Sequence, residues 1–199
     1  MNDTLSIPSL RVPYEDNIGV HELDSRTAEL LQGCVQIVGE INTTTAMQTI
    51  CSLRFLAEKR QNVKILLNSN GGEISSGLAI IDAIRSYPYG VTVLCIAMAA
   101  SMGAVILASC PRGQRLILPH GKVMIHEPLI AGGLGGSVTT IEKTAKSMIE
   151  TRNIINGLLS ECTGRSIEEI DKATSFDNYM SAKEAISFGI CDAIGNPYI

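Results

Sequence analysis

A serine stands where a β-forming run gives way to small, helix-forming residues: Ala99-Ala100-Ser101-Met102-Gly103-Ala104, within CIAMAASMGAVILAS. A hydroxyl at the carboxyl end of a strand and the N-terminus of a helix sits where the helix dipole and free N–H groups favour a developing anion. The pattern Ala-x-Ser-x-Gly is one residue away from the Gly-x-Ser-x-Gly nucleophile elbow, with Ala99 in place of the first glycine. The same residues would also serve as filler in a tight core, so the serine alone decides nothing.

A nucleophilic serine needs a base, and the chain has three histidines. His21 lies in a polar N-terminal stretch and His120 in the turn Leu-Pro-His-Gly. His126 closes a β run before Glu127-Pro128. It shares the strand-end setting of Ser101, which makes it the best candidate base. The acid that would orient the imidazole has three candidates downstream: Asp171, on what reads as a solvated helix face, and Asp177 and Asp192, near element ends. Spacing does not choose among them. The order Ser, His, Asp differs from the Ser, Asp, His order of the α/β-hydrolases, which disfavours that fold. Asn68-Ser69-Asn70-Gly71-Gly72 follows another strand. Consecutive glycines let backbone N–H groups approach a ligand closely, so one of them and the N–H after the serine could form an oxyanion hole. A plain tight turn is the alternative.

The elements that would carry these residues alternate. Strands are expected over 33–41, 62–69 and 91–98, in QRLILP and KVMIHEP, and in the closing ICDAIG. Helices are expected over 44–60, 74–87, 139–164 and 181–189, in SMGAVILASC, and after Ser166, where Ser166 and Glu169 form a capping-box pattern. The long helix ends at Gly164 as C-cap. Strand–helix alternation of this kind predicts an α/β fold with mostly parallel pairing. Residues 1–20 show no periodicity and read as a flexible arm or a short pro-segment, leaving 21–199 as a single domain. A helix of that length after the glycine-rich GGLGGS (132–137) approaches about 40 Å, more than a compact domain of this size needs; it reads as an arm that docks on another subunit.

Composition narrows the classes. The chain has 199 residues, 45% of them hydrophobic, and a formal net charge of −4, which points to neither nucleic acid nor an anionic membrane surface. No apolar run reaches the roughly 18 residues of a membrane span. MNDTLSIPSLRVPYEDN has neither the basic nor the apolar region of a signal peptide. Six scattered cysteines with no CxxC read as free thiols in a reducing cytoplasm, and no Cys/His pair has metal-ligand spacing.

Taken in order, these motifs resemble the proteolytic subunit of the Clp protease, ClpP, over roughly residues 35–195. The family's Asn-Ser-Pro-Gly-Gly is matched by Asn68-Ser69-Asn70-Gly71-Gly72, its Ala-Ser-Met-Gly-Ala by Ala100–Ala104, and its Met-Ile-His-x-Pro by Met124–Pro128. Thr163-Gly164 follows, then Thr174 through Asp177 to Ser181-Ala182-Lys183-Glu184-Ala185, and then Phe188–Asp192. The resemblance implies a crotonase-like ClpP fold, with a head domain and a protruding handle over about 132–162. It implies a serine endopeptidase of family S14 with Ser101 as nucleophile, His126 as base and Asp177 as the orienting acid. The backbone N–H groups of Gly72 and Met102 would be the oxyanion donors. It further implies two heptameric rings joined through the handles, a tetradecamer fed with unfolded polypeptide by a hexameric AAA+ ATPase such as ClpX, ClpA or ClpC. The subunit itself would need no metal or nucleotide; ATP would be used by the partner.

The chain departs from the family pattern at named places. Asn70 stands for a proline and Ala97 for a glycine. Phe176 stands where the family often has an arginine before the aspartate, and Thr140 where that arginine's acidic partner falls on the opposite handle. The segment DSRTAELLQG matches the family's Tyr-Ser-Arg-Leu-Leu poorly. These departures suggest a divergent second paralogue. A second reading is therefore a weakly active or regulatory ring subunit that works with another ClpP. A third is a crotonase-type acyl-CoA enzyme, which shares the fold but does not use a Ser/His/Asp set.

Overall fold

The computed structural model describes residues 10–129 and 135–196. It opens with an antiparallel hairpin, β1 (Arg11–Asp16) and β2 (Gly19–Asp24). The Asp16 carboxylate closes the turn, accepting the N–H groups of Ile18 at 2.8 Å and Gly19 at 3.2 Å. This is the first difference from the sequence expectation, which gave residues 11–20 no element. One face of the hairpin is exposed and the other, carrying Val12, Tyr14 and Leu23, is only partly buried, so the alternation is short and weak; turn chemistry and ladder bonds define the hairpin. A seven-residue helix, α1 (Ser25–Leu31), was also not anticipated; Asp24 caps it by accepting the Thr27 N–H at 3.0 Å.

The body alternates as expected: β3 (Cys34–Val38), α2 (Thr43–Glu58), β4 (Val63–Ser69), α3 (Ile74–Arg85), β5 (Val91–Ala100), α4 (Met102–Ser109), β6 (Arg115–Ile117) and β7 (Lys122–Ile125). Then come α5 (Val138–Thr163), α6 (Ile167–Thr174), β8 (Asn178–Ser181), α7 (Ala182–Phe188) and β9 (Ala193–Ile194). The main sheet runs β3-β4-β5-β6-β9, with β7 beside β5 and β8 beside β7. Every pair in it is parallel except β7–β8. Strands buried on both sides need continuous apolar runs, and β4 and β5 supply them with Ile65, Leu67, Val93, Leu94 and Cys95, all at 0% exposure.

Strand β5 forks, and the fork builds the site. Its first half, Val93–Cys95, pairs with β6; its last residues, Met98–Ala100, pair with β7. Between them the register against β4 jumps from Leu67↔Cys95 to Ser69↔Ala99. The extra residues on β5 are accommodated by the Asn68 side chain, which accepts the Met98 N–H at 3.2 Å. Ala97 is exposed in this bulge. Helix α4, buried along all eight residues, plugs the centre of the core.

Helix α5 leaves the body. Its buried residues are Ile155, Asn156, Leu159 and Cys162, all in its last turns, while Val138, Ile141 and Ile149 are exposed. At about 1.5 Å per residue its 26 residues extend well beyond the sheet, the arm-like element expected from the sequence. Gly164 ends it in the left-handed conformation at φ 78°, its N–H donating to the Ser160 carbonyl. Of the glycine-rich segment before it, residues 132–134 lie outside the described residues.

The C-terminal elements are tied down by Arg115. Its guanidinium pairs with Asp192 and donates to the carbonyls of Cys162 at 2.9 Å and Gly189 at 2.8 Å. Asp192 also accepts the N–H groups of Gly113 and Arg115. Burial alone would raise the Asp192 carboxyl, but the Arg115 hydrogen bonds, its charge and the Gly113 N–H outweigh it and hold the group below its ordinary 3.8. The pair's contribution to stability is therefore complete above the unfolded carboxylate value of about 3.9 and is lost as pH falls through the folded one. Arg115→Ala takes the cation from a half-buried carboxylate that keeps only backbone N–H donors, and leaves the Gly189 carbonyl without its donor; a loss of about 3–5 kcal/mol is expected in urea denaturation.

Candidate active site

Ser101 is one of only two non-glycine residues with positive φ among the described residues, at φ 53° and ψ −122°. Such a conformation costs on the order of 1–3 kcal/mol and persists only where its surroundings hold it. Here the Ser101 N–H donates to the Met124 carbonyl at 2.8 Å, and its own carbonyl accepts the N–H groups of Ala104 and Val105. The turn throws the side chain off the end of β5 rather than into the core. The hydroxyl makes no cap bond to α4 and lies 2.9 Å from His126 Nε2.

His126 follows β7, whose register against β5 sets Met124 opposite Ala100. Serine and histidine thus leave neighbouring parallel strands at the same edge. On the imidazole's other side, Nδ1 is 3.3 Å from Asp177 Oδ1. Strand β8 delivers that carboxylate: Ile125 pairs with Asn178 across the antiparallel β7–β8 ladder, so His126 and Asp177 flank one pair. The Glu127 N–H donates to the Thr174 carbonyl at 2.8 Å, and Asn178 Nδ2 donates to the Ala173 carbonyl at 3.1 Å. With the imidazole proton on Nδ1, Nε2 accepts from Ser101 and Nδ1 faces the Asp177 carboxylate at ion-pair distance. His126 is 16% exposed and Asp177 62%.

Three of the four remaining candidates, His21, Asp171 and Asp192, are engaged elsewhere. His21 contacts Asp16 at 3.2 Å. His120 is exposed in the turn between β6 and β7. Asp192 holds Arg115. Asp171 accepts a 2.6 Å hydrogen bond from Asn156, so it is not simply a solvated group.

Gly71 and Gly72 pass against the serine. A Cβ on Gly71 would lie 2.6 Å from Ser101 Cβ and 2.9 Å from the Ala100 carbonyl; one on Gly72 would lie 2.1 Å from the Ile41 carbonyl. The segment is fixed by Gly71 donating to Ser69 Oγ, Ile41 donating to the Gly71 carbonyl, and Glu73 donating to the Ile41 carbonyl. That leaves the Gly72 N–H, and that of Met102 in the first turn of α4, without an acceptor among the described residues. Gly71→Ala is expected to displace the serine and, at φ +97°, to strain the backbone. A 1 Å misplacement can cost about 10²-fold; peptide hydrolysis by this variant against wild type measures it.

Beside Ser101 and His126 lies an apolar hollow walled by Ile74, Met102, Val105, Ile125, Ile155 and Leu159. Strand, helix and handle all contribute, so the walls of the hollow and the Ser101–His126 contact are assembled together.

The model of the Clp protease family matches residues 20–197, nearly the whole chain. The chain belongs to the Clp protease family. It is thus a ClpP-type S14 peptidase by family, and the seven helices and mostly parallel sheet among the described residues agree with that fold. Within that family framework, Phe176 and Thr140 are both exposed, Phe176 at 60%. An apolar ring and a hydroxyl occupy the places where the family often puts an arginine and an acid. Asn70 is exposed at the tip of the glycine turn. Among the described residues no helix is long and apolar enough to cross a membrane.

One element of the site was missed in the sequence: strand β8, which delivers Asp177, is only four residues long and carries no local periodic signal.

Proposed function

We propose that this subunit is a serine endopeptidase in which Ser101 is the nucleophile, His126 the general base and acid, and Asp177 the group that orients the imidazole. The observation that carries the reading is the unbroken contact chain from Ser101 Oγ to His126 Nε2 at 2.9 Å and from His126 Nδ1 to Asp177 at 3.3 Å. Ser101 Oγ attacks the scissile carbonyl while Nε2 takes its proton. The oxyanion is held by the N–H groups of Gly72 and Met102, and Nε2 returns the proton to the leaving amine. Water then releases the acyl-enzyme by the same steps. The reaction runs on these groups and water alone; ATP is consumed by a partner ATPase. Substrates are unfolded polypeptides delivered by an AAA+ unfoldase of the ClpX, ClpA or ClpC kind to a cytoplasmic tetradecamer of two heptameric rings. The β1–β2 hairpin (Arg11–Asp24) crosses the boundary expected at residue 20, so the single protease domain is taken to follow the hairpin from Ser25 on.

One observation favours a second reading. The Asp177 side chain is 62% exposed and its 3.3 Å contact is longer than the roughly 2.7–2.9 Å of a charge-assisted hydrogen bond. With Phe176 beside it, this fits a subunit whose acid is brought into line by a partner ring of a second ClpP. Sedimentation with parallel hydrolysis of a Leu-containing fluorogenic peptide, alone and mixed with a second ClpP, separates the two. A tetradecamer that hydrolyses alone supports the first reading; an inert particle activated only in the mixture supports the second.

A further inference from the structure

Asn156 is a polar residue on the one stretch of α5 that is buried, between Ile155 and Leu159, and it is itself 1% exposed. Its Nδ2 donates to Asp171 Oδ1 at 2.6 Å and approaches Thr174 Oγ1 at 3.4 Å, both on α6. Its Oδ1 is buried without a hydrogen-bond partner. An unpaired buried acceptor costs about 1–3 kcal/mol, so an amide here is not the side chain that packing alone would favour.

What the amide fixes is the last turn of α6. Thr174, also 1% exposed, gives its carbonyl to the Glu127 N–H, next to His126. The neighbouring Ala173 carbonyl takes Asn178 Nδ2, next to Asp177. Both halves of the His126–Asp177 contact therefore hang from one turn of helix, and Asn156 pins that turn to α5. We propose that Asn156 is a positioning residue: through Asp171 and Thr174 it couples the protruding helix α5 to the alignment of Asp177 with His126. This inference rests on the catalytic reading of Ser101, His126 and Asp177.

The test uses the full-length assembled protein and four variants: Asn156→Ala, Asp171→Ala, Asp171→Asn and the double Asn156→Ala/Asp171→Ala. Peptide kinetics are measured with the rate of Ser101 labelling by a fluorophosphonate, and sedimentation and circular dichroism confirm assembly. Asn156→Ala and Asp171→Ala are expected to lower kcat by about 10- to 100-fold, the range of a small misplacement, with KM within about twofold of wild type and labelling slowed in proportion. Asp171→Asn keeps an acceptor oxygen for Asn156 Nδ2 and should recover most of what Asp171→Ala loses. The double variant should be no slower than the slower single one, because both act through one bond. A folded Asn156→Ala with wild-type kcat overturns the proposal, as does an equal loss in Asp171→Asn and Asp171→Ala. If Asn156→Ala does not assemble, the Asp171 pair reads the same coupling from the α6 side. A wild type that neither hydrolyses nor labels overturns the catalytic reading, and this inference with it; an active wild type with an unaffected Asn156→Ala overturns only this one.

Discussion

Replacing Ser101 by alanine is expected to abolish peptide hydrolysis, by about 10⁶ in kcat on the scale of other serine peptidases, while leaving the particle intact. The size follows from the geometry. The hydroxyl makes no cap bond to α4, and its contact is with His126 Nε2 at 2.9 Å. Removing it thus deletes the nucleophile without unpairing a buried group. The elbow is held by the Ser101 N–H donating to the Met124 carbonyl and by the Ala104 and Val105 N–H groups donating to the Ser101 carbonyl, none of which needs the side chain. Hydrolysis of a fluorogenic peptide beside sedimentation of the same sample checks both halves. A Ser101→Ala particle that keeps the wild-type rate contradicts the assignment of the nucleophile.

The second large effect is expected at Asp177. Asp177→Asn keeps the shape and offers an amide where Nδ1 meets a carboxylate at 3.3 Å. The imidazole can then settle with its proton on Nε2, facing Ser101, where it is no base. A loss of about 10⁴ in kcat is the expected result if the triad is aligned as in other serine peptidases. Thermal stability should hardly change, because the Asp177 side chain is 62% exposed and surface pairs contribute about 0–1 kcal/mol. Single-turnover acylation measures the rate and a thermal melt the stability. A loss below about tenfold would mean that Asp177 does not orient His126 in the isolated subunit, the situation of the second reading.

Much of this was legible in the sequence because the relevant signals are local. Continuous apolar runs marked β4 and β5, and Ser166 with Glu169 marked the start of α6, where the capping box is present. Gly164 marked the end of α5. The Ser101 elbow could be read from small residues at a strand-to-helix joint, and His126 from its place at a strand end. The acid could not be read that way. Asp171 reads as a helix-face residue and Asp177 and Asp192 as element-end residues, but what separates them is tertiary: β8 pairs with β7 and brings Asp177 to His126, whereas Arg115 holds Asp192 and Asn156 holds Asp171. Only the family resemblance chose Asp177 beforehand, and the geometry places the same carboxylate beside the imidazole. The hairpin at 11–24 escaped because its alternation, Val12 and Tyr14 in β1 and Leu23 in β2, is short and only partly buried. Asn156 did leave a trace, a lone amide among Ile155, Leu159 and Cys162 on one helix face, but nothing in the sequence tells what that amide touches.

The central claim is that Ser101 is a nucleophile activated by His126. Intact-mass measurement after brief exposure to a fluorophosphonate tests it most directly, because it needs neither a partner ring nor a known substrate. One adduct per subunit, mapped to Ser101 and lost in His126→Ala, is the predicted result. No adduct on Ser101, or the same labelling rate without His126, would contradict it.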